Sequence, residues 1–205
     1  MAKISTCPNY TSAIVVVHGE SEYIIARHIK SSLKLKLHIH KGTTSIQING
    51  LLKELNTYFE DISQLKKNPK LFLDITKNTI NNFKIFTIMD TDDCSEETKE
   101  KYIDGSLFSK YELKDYVVPI YLTPDLEHVL YNSKLIPKIY NDSEKVKEYG
   151  KLFPISNVPI GSSQLPMDNM KATHSLLINN KKTNLDLFIQ YCIKQAEMKR
   201  VGRSF

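Results

Sequence analysis

The chain has no tryptophan and only 7 glycines among its 205 residues. A glycine-rich nucleotide loop would have to be built from very few residues. No Gly-Lys-Ser/Thr triplet is present either, which argues against ATP hydrolysis by a P-loop. Cysteine is scarce: Cys7, Cys94 and Cys192 are odd in number and far apart. They form no CxxC pair, which excludes a disulfide scaffold or a zinc knuckle and suits reduced thiols in a cytoplasmic protein. No apolar run approaches the roughly 20 residues that span a bilayer. The longest, Ala13–Val17 and 85–89, are strand-sized. Residues 1–10 are polar and lack an apolar signal core, so a secretory route and a membrane partner are not expected. A Gly-x-Ser-x-Gly nucleophile elbow is missing, and Ser162-Ser163 has no assignable partner.

What is present is ordinary in amount. Hydrophobic residues make up 41% and charged residues 25%, as in a soluble globular protein. The length suits one domain with a real core. A net charge of +5 permits a nucleic-acid partner without requiring one.

Periodicity gives the architecture. Ala13–Val17 is a continuous β-branched run, which fits a strand buried on both faces of a parallel sheet. A helix follows, with Ser21 as its cap and Ile24, Ile25, Ile29 and Leu33 at helical spacing. Alternation over 35–40 predicts a second strand, with His38 and His40 sharing an exposed side. Helices are expected over 45–59 and, after Asn68-Pro69, over 71–80. A third strand over 84–89 runs into Asp90-Thr91-Asp92-Asp93, followed by a polar loop with a short helix. Residues 117–122 read as a fourth strand, and Pro119 marks it as an edge or a bulge. Pro124 opens a short helix to Tyr131 by its tolerance for the first turn. Helices over 141–149 and 185–198 flank a loop at 157–166. Strands alternating with helices predict an α/β sandwich around a mostly parallel sheet. We expect a core over 1–135 and a helical, loop-rich C-terminal extension over 136–205 packed on it.

Two acidic clusters sit directly after two buried strands: His18-Gly19-Glu20-Ser21-Glu22 and Asp90-Thr91-Asp92-Asp93. In parallel sheets functional groups gather at the carboxyl ends of strands. If the two strands are neighbours, the carboxylates converge. Like charges raise one another's pKa, so convergence does not serve stability. A divalent cation resolves the repulsion, and Mg²⁺ takes hard oxygen ligands of this kind. In Asp-x-Asp past a strand end, Asp90 and Asp92 point to one side and Thr91 away. Taken singly, Glu20 and Glu22 would be ordinary helix-start acids, and Asp93 a solvated neighbour.

The order strand, Gly-x-x-Glu, helix, then strand, Asp-x-Asp resembles the Toprim domain of topoisomerases, primases, OLD-family nucleases and small RloB-like defence proteins. The matching residues are Gly19 and Glu22 after Val15-Val16-Val17, and Asp90 and Asp92 after 85–89. In residues 120–130, Pro124 and Glu127 match a Ser-x-Pro-x-Phe-Glu-x-Trp-Leu region of the RloB-like proteins, with Leu126 and Val129 in place of aromatics. The resemblance covers about residues 13–131. It implies a Toprim-like Rossmannoid fold. It also implies a metal-dependent nuclease acting on RNA or DNA in bacterial antiviral defence, with a separate ATPase subunit as a partner and self-association open. Glu22, Asp90 and Asp92 would hold Mg²⁺ or Mn²⁺, and His18, Glu20 and Glu127 would complete the catalytic set.

One position departs from the pattern: His18 stands where the family carries its leading glutamate. Histidine prefers softer ions than Mg²⁺, yet serves as an acid or base near neutral pH. Three outcomes follow. His18 replaces the glutamate, with Mn²⁺ as the metal; Glu20 reaches in instead; or the fold is kept as a catalytically degenerate nucleic-acid or protein binding module. Basic residues Lys181, Lys182, Lys194, Lys199, Arg200 and Arg203 offer phosphate contacts or simply a solvated tail. Lys171 and His174 are candidates for the edge of the site.

Overall fold

A computed structural model describes residues 10–155 and 165–200. Cys7, Ser162, Ser163, Arg203 and the expected loop over 157–164 lie outside those residues. The elements run in the order β1 (Ala13–Val17), α1 (Glu20–Ser32), β2 (Leu37–Lys41), α2 (Ile48–Phe59), α3 (Ile62–Lys67), β3 (Ile75–Thr76), β4 (Thr79–Ile80), β5 (Lys84–Asp90), α4 (Glu96–Ile103), β6 (Val117–Leu122), α5 (Leu126–Asn132), α6 (Asp142–Leu152), α7 (Leu165–Leu177) and α8 (Leu185–Arg200). Four strands form one all-parallel sheet in the order β2-β1-β5-β6. Helices cover both faces, as in a Rossmann-like α/β fold.

The two-residue period of the strands divides the core into two. Ala13, Val15 and Val17 of β1, with Phe86 and Ile88 of β5, face α1, α5, α6, α7 and α8. Ile14 and Val16, with Ile85 and Met89, face α2, α3, α4 and the β3–β4 hairpin. A strand buried on both faces needs apolar residues at every position, which is why β1 reads as an unbroken run. The C-terminal helices share the first cluster: Tyr149, Met167, Leu177 and Phe188 pack with the β1 side chains.

The expected helix over 71–80 does not form. The chain is extended there and turns through the β3–β4 hairpin, with Lys77 and Asn78 both at positive φ. Asn tolerates that conformation, and Leu71, Leu73 and Ile75 reach the second core from an irregular segment. Leu165 and Pro166 begin α7 rather than end a loop. Pro124 stands outside α5, whose N-cap is Asp125, accepting from the His128 N–H. Pro119 lies on β6, an edge strand, where its missing N–H costs no ladder bond. Asn184 covers that edge, donating from Nδ2 to the Pro119 carbonyl at 2.9 Å and accepting from Tyr121 N–H at 2.9 Å.

The route of the chain fixes the site. From β1 it passes outward through α1 to β2, then crosses the opposite face and enters β5 on the other side of β1. Connections therefore diverge between β1 and β5, and the crevice beyond their carboxyl ends is a topological switch point.

Candidate active site

Three elements deliver carboxylates to this crevice. Glu22 sits in the first turn of α1, Asp90 ends β5, and Glu127 lies in the first turn of α5. All three are buried, at 3%, 9% and 6% exposure. The adjacency of β1 and β5 brings the two acidic strand ends together, in register from Ala13↔Lys84 to Val17↔Ile88.

Each carboxylate is held by a backbone or hydroxyl donor. Glu22 Oε2 accepts the Gly19 N–H at 2.8 Å, which caps α1. Gly19 is thus the N-cap, and Ser21, expected in that role, lies inside the helix. Its hydroxyl donates to Glu127 Oε1 at 3.2 Å. Asp90 Oδ1 accepts the Leu126 N–H at 3.0 Å, tying β5 to the start of α5. Lys145 of α6 lies 3.0 Å from Glu127 Oε1.

Electrostatics record the crowding. Burial pushes the Asp90 carboxyl up to about 9, reinforced by the charges of Glu22, Glu127, Asp125 and Asp92. Burial also raises Glu22, with Glu127 adding to it and His18 and backbone N–H groups opposing it. The His18 imidazole lies beside them, its Nε2 3.9 Å from Asp90 Oδ2. His18 Nδ1 is buried with no hydrogen-bond partner among the described residues.

Several expected placements change. Asp92, expected to point to one side with Asp90, sits exposed in the turn after β5, while Thr91 is buried against the end of β6. The Thr91 hydroxyl donates to the Leu122 carbonyl at 3.1 Å and its N–H meets Leu122 and Pro124 carbonyls. That anchoring to β6 forces the turn outward at Asp92. Asp93, read as solvated, has both carboxylate oxygens buried with no hydrogen-bond partner among the described residues, and burial raises its pKa while His18 lowers it. Glu20 turns from the crevice to pair with Lys41 at the end of β2. His38 and His40 lie edge-on to Phe59 of α2 rather than on an open face, and His40 Nε2 meets Glu54 Oε1 at 2.7 Å. Lys171 pairs with Glu197 of α8 at 2.7 Å, away from the site edge.

The basic residues separate by edge. Tyr191 of α8 donates to the Ser12 carbonyl before β1, so α8 runs back to the amino edge of the sheet. Lys194 and Lys199 therefore stand opposite the carboxylates, and Lys199 donates to the Lys34 carbonyl at 3.4 Å. Lys181 and Lys182 remain at the carboxyl edge, where the Lys182 carbonyl accepts the Thr123 N–H at 2.9 Å.

The donor chemistry suits a hard divalent cation: clustered carboxylates, buried at the end of β5 and in the first turns of α1 and α5. Glu22 and Asp90 could hold such an ion, with Asp92 or Asp93 supplied by the turn. As they stand, no group of three His, Cys, Asp or Glu side chains among the described residues forms a finished ligand set. Lys145 and Asp93 were missed by sequence reasoning; the lysine carries no local signal, and the aspartate is the second half of an Asp-Asp pair.

Among the described residues no helix is long and apolar enough to cross a membrane. Comparison of the chain with protein-family models, with curated proteins and with solved structures returns no match.

Proposed function

We propose that the protein is a metal-dependent phosphodiesterase of the Toprim kind, acting on RNA or DNA. The observation that carries this reading is the burial of Glu22, Asp90 and Glu127 in one crevice at the switch point, where burial, reinforced by the neighbouring carboxylates, raises Asp90 to about 9. Such an arrangement opposes stability unless a cation binds. A bound Mg²⁺ or Mn²⁺ would polarise the phosphate and acidify an attacking water.

The chain's own groups supply the rest. Glu22 and Asp90, with Asp92 or Asp93, would hold the ion. Attack by water on phosphorus forms a new P–O bond and breaks the ester P–O bond; His18 is placed to take the water's proton, and the departing sugar oxygen takes up a proton from solvent to leave as a hydroxyl. Glu20 has no part in this, because it faces Lys41. Lys181 and Lys182, on the same edge, would meet the phosphate backbone. A place in antiviral defence, with a separate ATPase subunit, rests on the RloB-like resemblance of residues 120–130.

The test is cleavage of mixed RNA and DNA substrates by the purified chain in Mg²⁺ or Mn²⁺. Asp90→Ala and Glu22→Gln are expected to lower the rate at least 100-fold. Cleavage by both at the parent's rate rejects the assignment. A second reading has its own support. The His18 imidazole lies close enough to Asp90 to act as an internal counter-charge, which suits a non-catalytic binding module. His18→Glu separates the two: gained cleavage points to a decayed site, lost cleavage to an adapted histidine.

A further inference from the structure

Glu127 differs from the other two buried carboxylates in what neutralises it. Its Oε1 receives the Ser21 hydroxyl at 3.2 Å and the Lys145 ammonium at 3.0 Å. The pair is shielded, with side-chain exposures of 8% for Glu127 and 24% for Lys145. Such a pair holds its charges together far better than one on the open surface. Glu22 and Asp90 face His18 instead, a counter-charge that exists only when the ring is protonated.

Lys145 is also firmly placed. It lies one turn from Tyr149 on α6, so both project from the same side of the helix. Tyr149 is fully buried in the first core, among α1 and α8 residues. Its ring packs edge-on against Tyr140 and Phe153. Burial raises its phenol, and the charges of Glu127, Glu22 and Asp125 raise it further. That hydroxyl has no hydrogen-bond partner among the described residues. With Tyr149 anchoring the helix in the core, α6 presents the Lys145 ammonium to Glu127.

A two-ion phosphoryl-transfer site needs carboxylates for a second cation about 3.5–4 Å from the first. Glu127 is the carboxylate that could serve it, and its charge is already taken. We propose that Lys145 stands in for a second cation: by pairing with Glu127 it limits the crevice to one divalent ion per chain. The inference rests on the metal-dependent reading above and makes Lys145 a positioning residue acting through Glu127. It assigns the C-terminal extension a direct part in the site.

The experiment is calorimetric titration of the full chain with Mn²⁺, checked by electron paramagnetic resonance counting of free ion. The parent is expected to bind one ion. Lys145→Met is expected to bind two, the second at least tenfold tighter than any second binding to the parent. Lys145→Arg keeps the charge and should remain at one. Lys145→Met combined with Glu127→Gln should return to one. Two ions in the parent overturn the proposal whatever the variants do, so it does not depend on their folding. One ion in both parent and folded Lys145→Met also overturns it. No binding by the parent overturns the metal reading itself and takes this inference with it.

Discussion

Replacing Asp90 with asparagine should stabilise the metal-free protein, and increasingly so as the pH rises. Asp90 is 9% exposed. Burial and four neighbouring carboxylates push it from its ordinary 3.8 up to about 9. Proton counting gives the sign. Between those two values the folded state holds a proton that the unfolded chain has released. Stability therefore falls with rising pH across the window, by at most roughly 1.4 kcal/mol per pH unit for one proton. At pH 7 the accumulated cost is at most roughly 4 kcal/mol. Asparagine does not titrate, and its oxygen keeps the acceptor role toward the Leu126 N–H, now 3.0 Å from Asp90 Oδ1. An amide N–H left unpaired costs about 1–3 kcal/mol in return. The expected net is a gain of at most roughly 3–5 kcal/mol at pH 8, fading to about nothing near pH 5. Urea unfolding in EDTA, followed by far-UV circular dichroism because tryptophan is absent, measures it. A variant less stable than the parent at pH 8, or an advantage that does not grow from pH 5 to pH 8, would refute the reasoning. Saturating Mn²⁺ should reverse the order, because the parent gains binding energy that the variant lacks.

His38 works in the opposite direction on the acid side. Burial, then His40, Lys70 and Lys30, lower it from 6.5 to about 4. The unfolded chain therefore takes up a proton first, and stability is lost as pH falls from 6.5 toward 4. His38→Phe should make that decline shallower in the same urea assay; an unchanged slope counts against the assignment. Tyr102 is fully buried, and its hydroxyl donates to the Thr87 and Ile120 carbonyls at 2.6 and 3.0 Å. Tyr102→Phe should cost about 1–3 kcal/mol by stranding those acceptors; a loss under about 0.5 kcal/mol would show that they find other partners. Lys181→Ala with Lys182→Ala should weaken nucleic-acid binding and lower the salt-dependence slope by about one per lysine, whereas Lys194→Ala, at the far edge, should leave the slope as it was.

The sheet was legible because its strands carry their burial in the sequence. Ala13–Val17 could be apolar at every position only if both faces were covered, and the structure covers both. The convergence of Glu22 with Asp90 was legible from the strand ends alone, since parallel neighbours deliver their loops to one edge. The helix expected over 71–80, entered after Asn68-Pro69, failed because Lys77 and Asn78 turn the chain at positive φ. An irregular segment ending in a hairpin packs Leu71, Leu73 and Ile75 on the second core instead.

Inside the site the limit was finer. Asp92 and Asp93 are one residue apart, and the Thr91 anchor to Leu122, from a strand 31 residues away, decided which of them turned outward. Nothing local to Glu20 said that it would meet Lys41 rather than the crevice. Lys145 is one of many lysines in the sequence, and its pairing with Glu127 depends on α6 packing against α1. By itself the sequence determined the four strands of the main sheet and which acids stand at strand ends, because burial period is a local property. Tertiary structure alone decided which of those acids are buried together and what neutralises each. Hydrogen bonding and charge pairing act over a few ångströms between groups as far apart in the chain as Ser21 and Glu127, 106 residues.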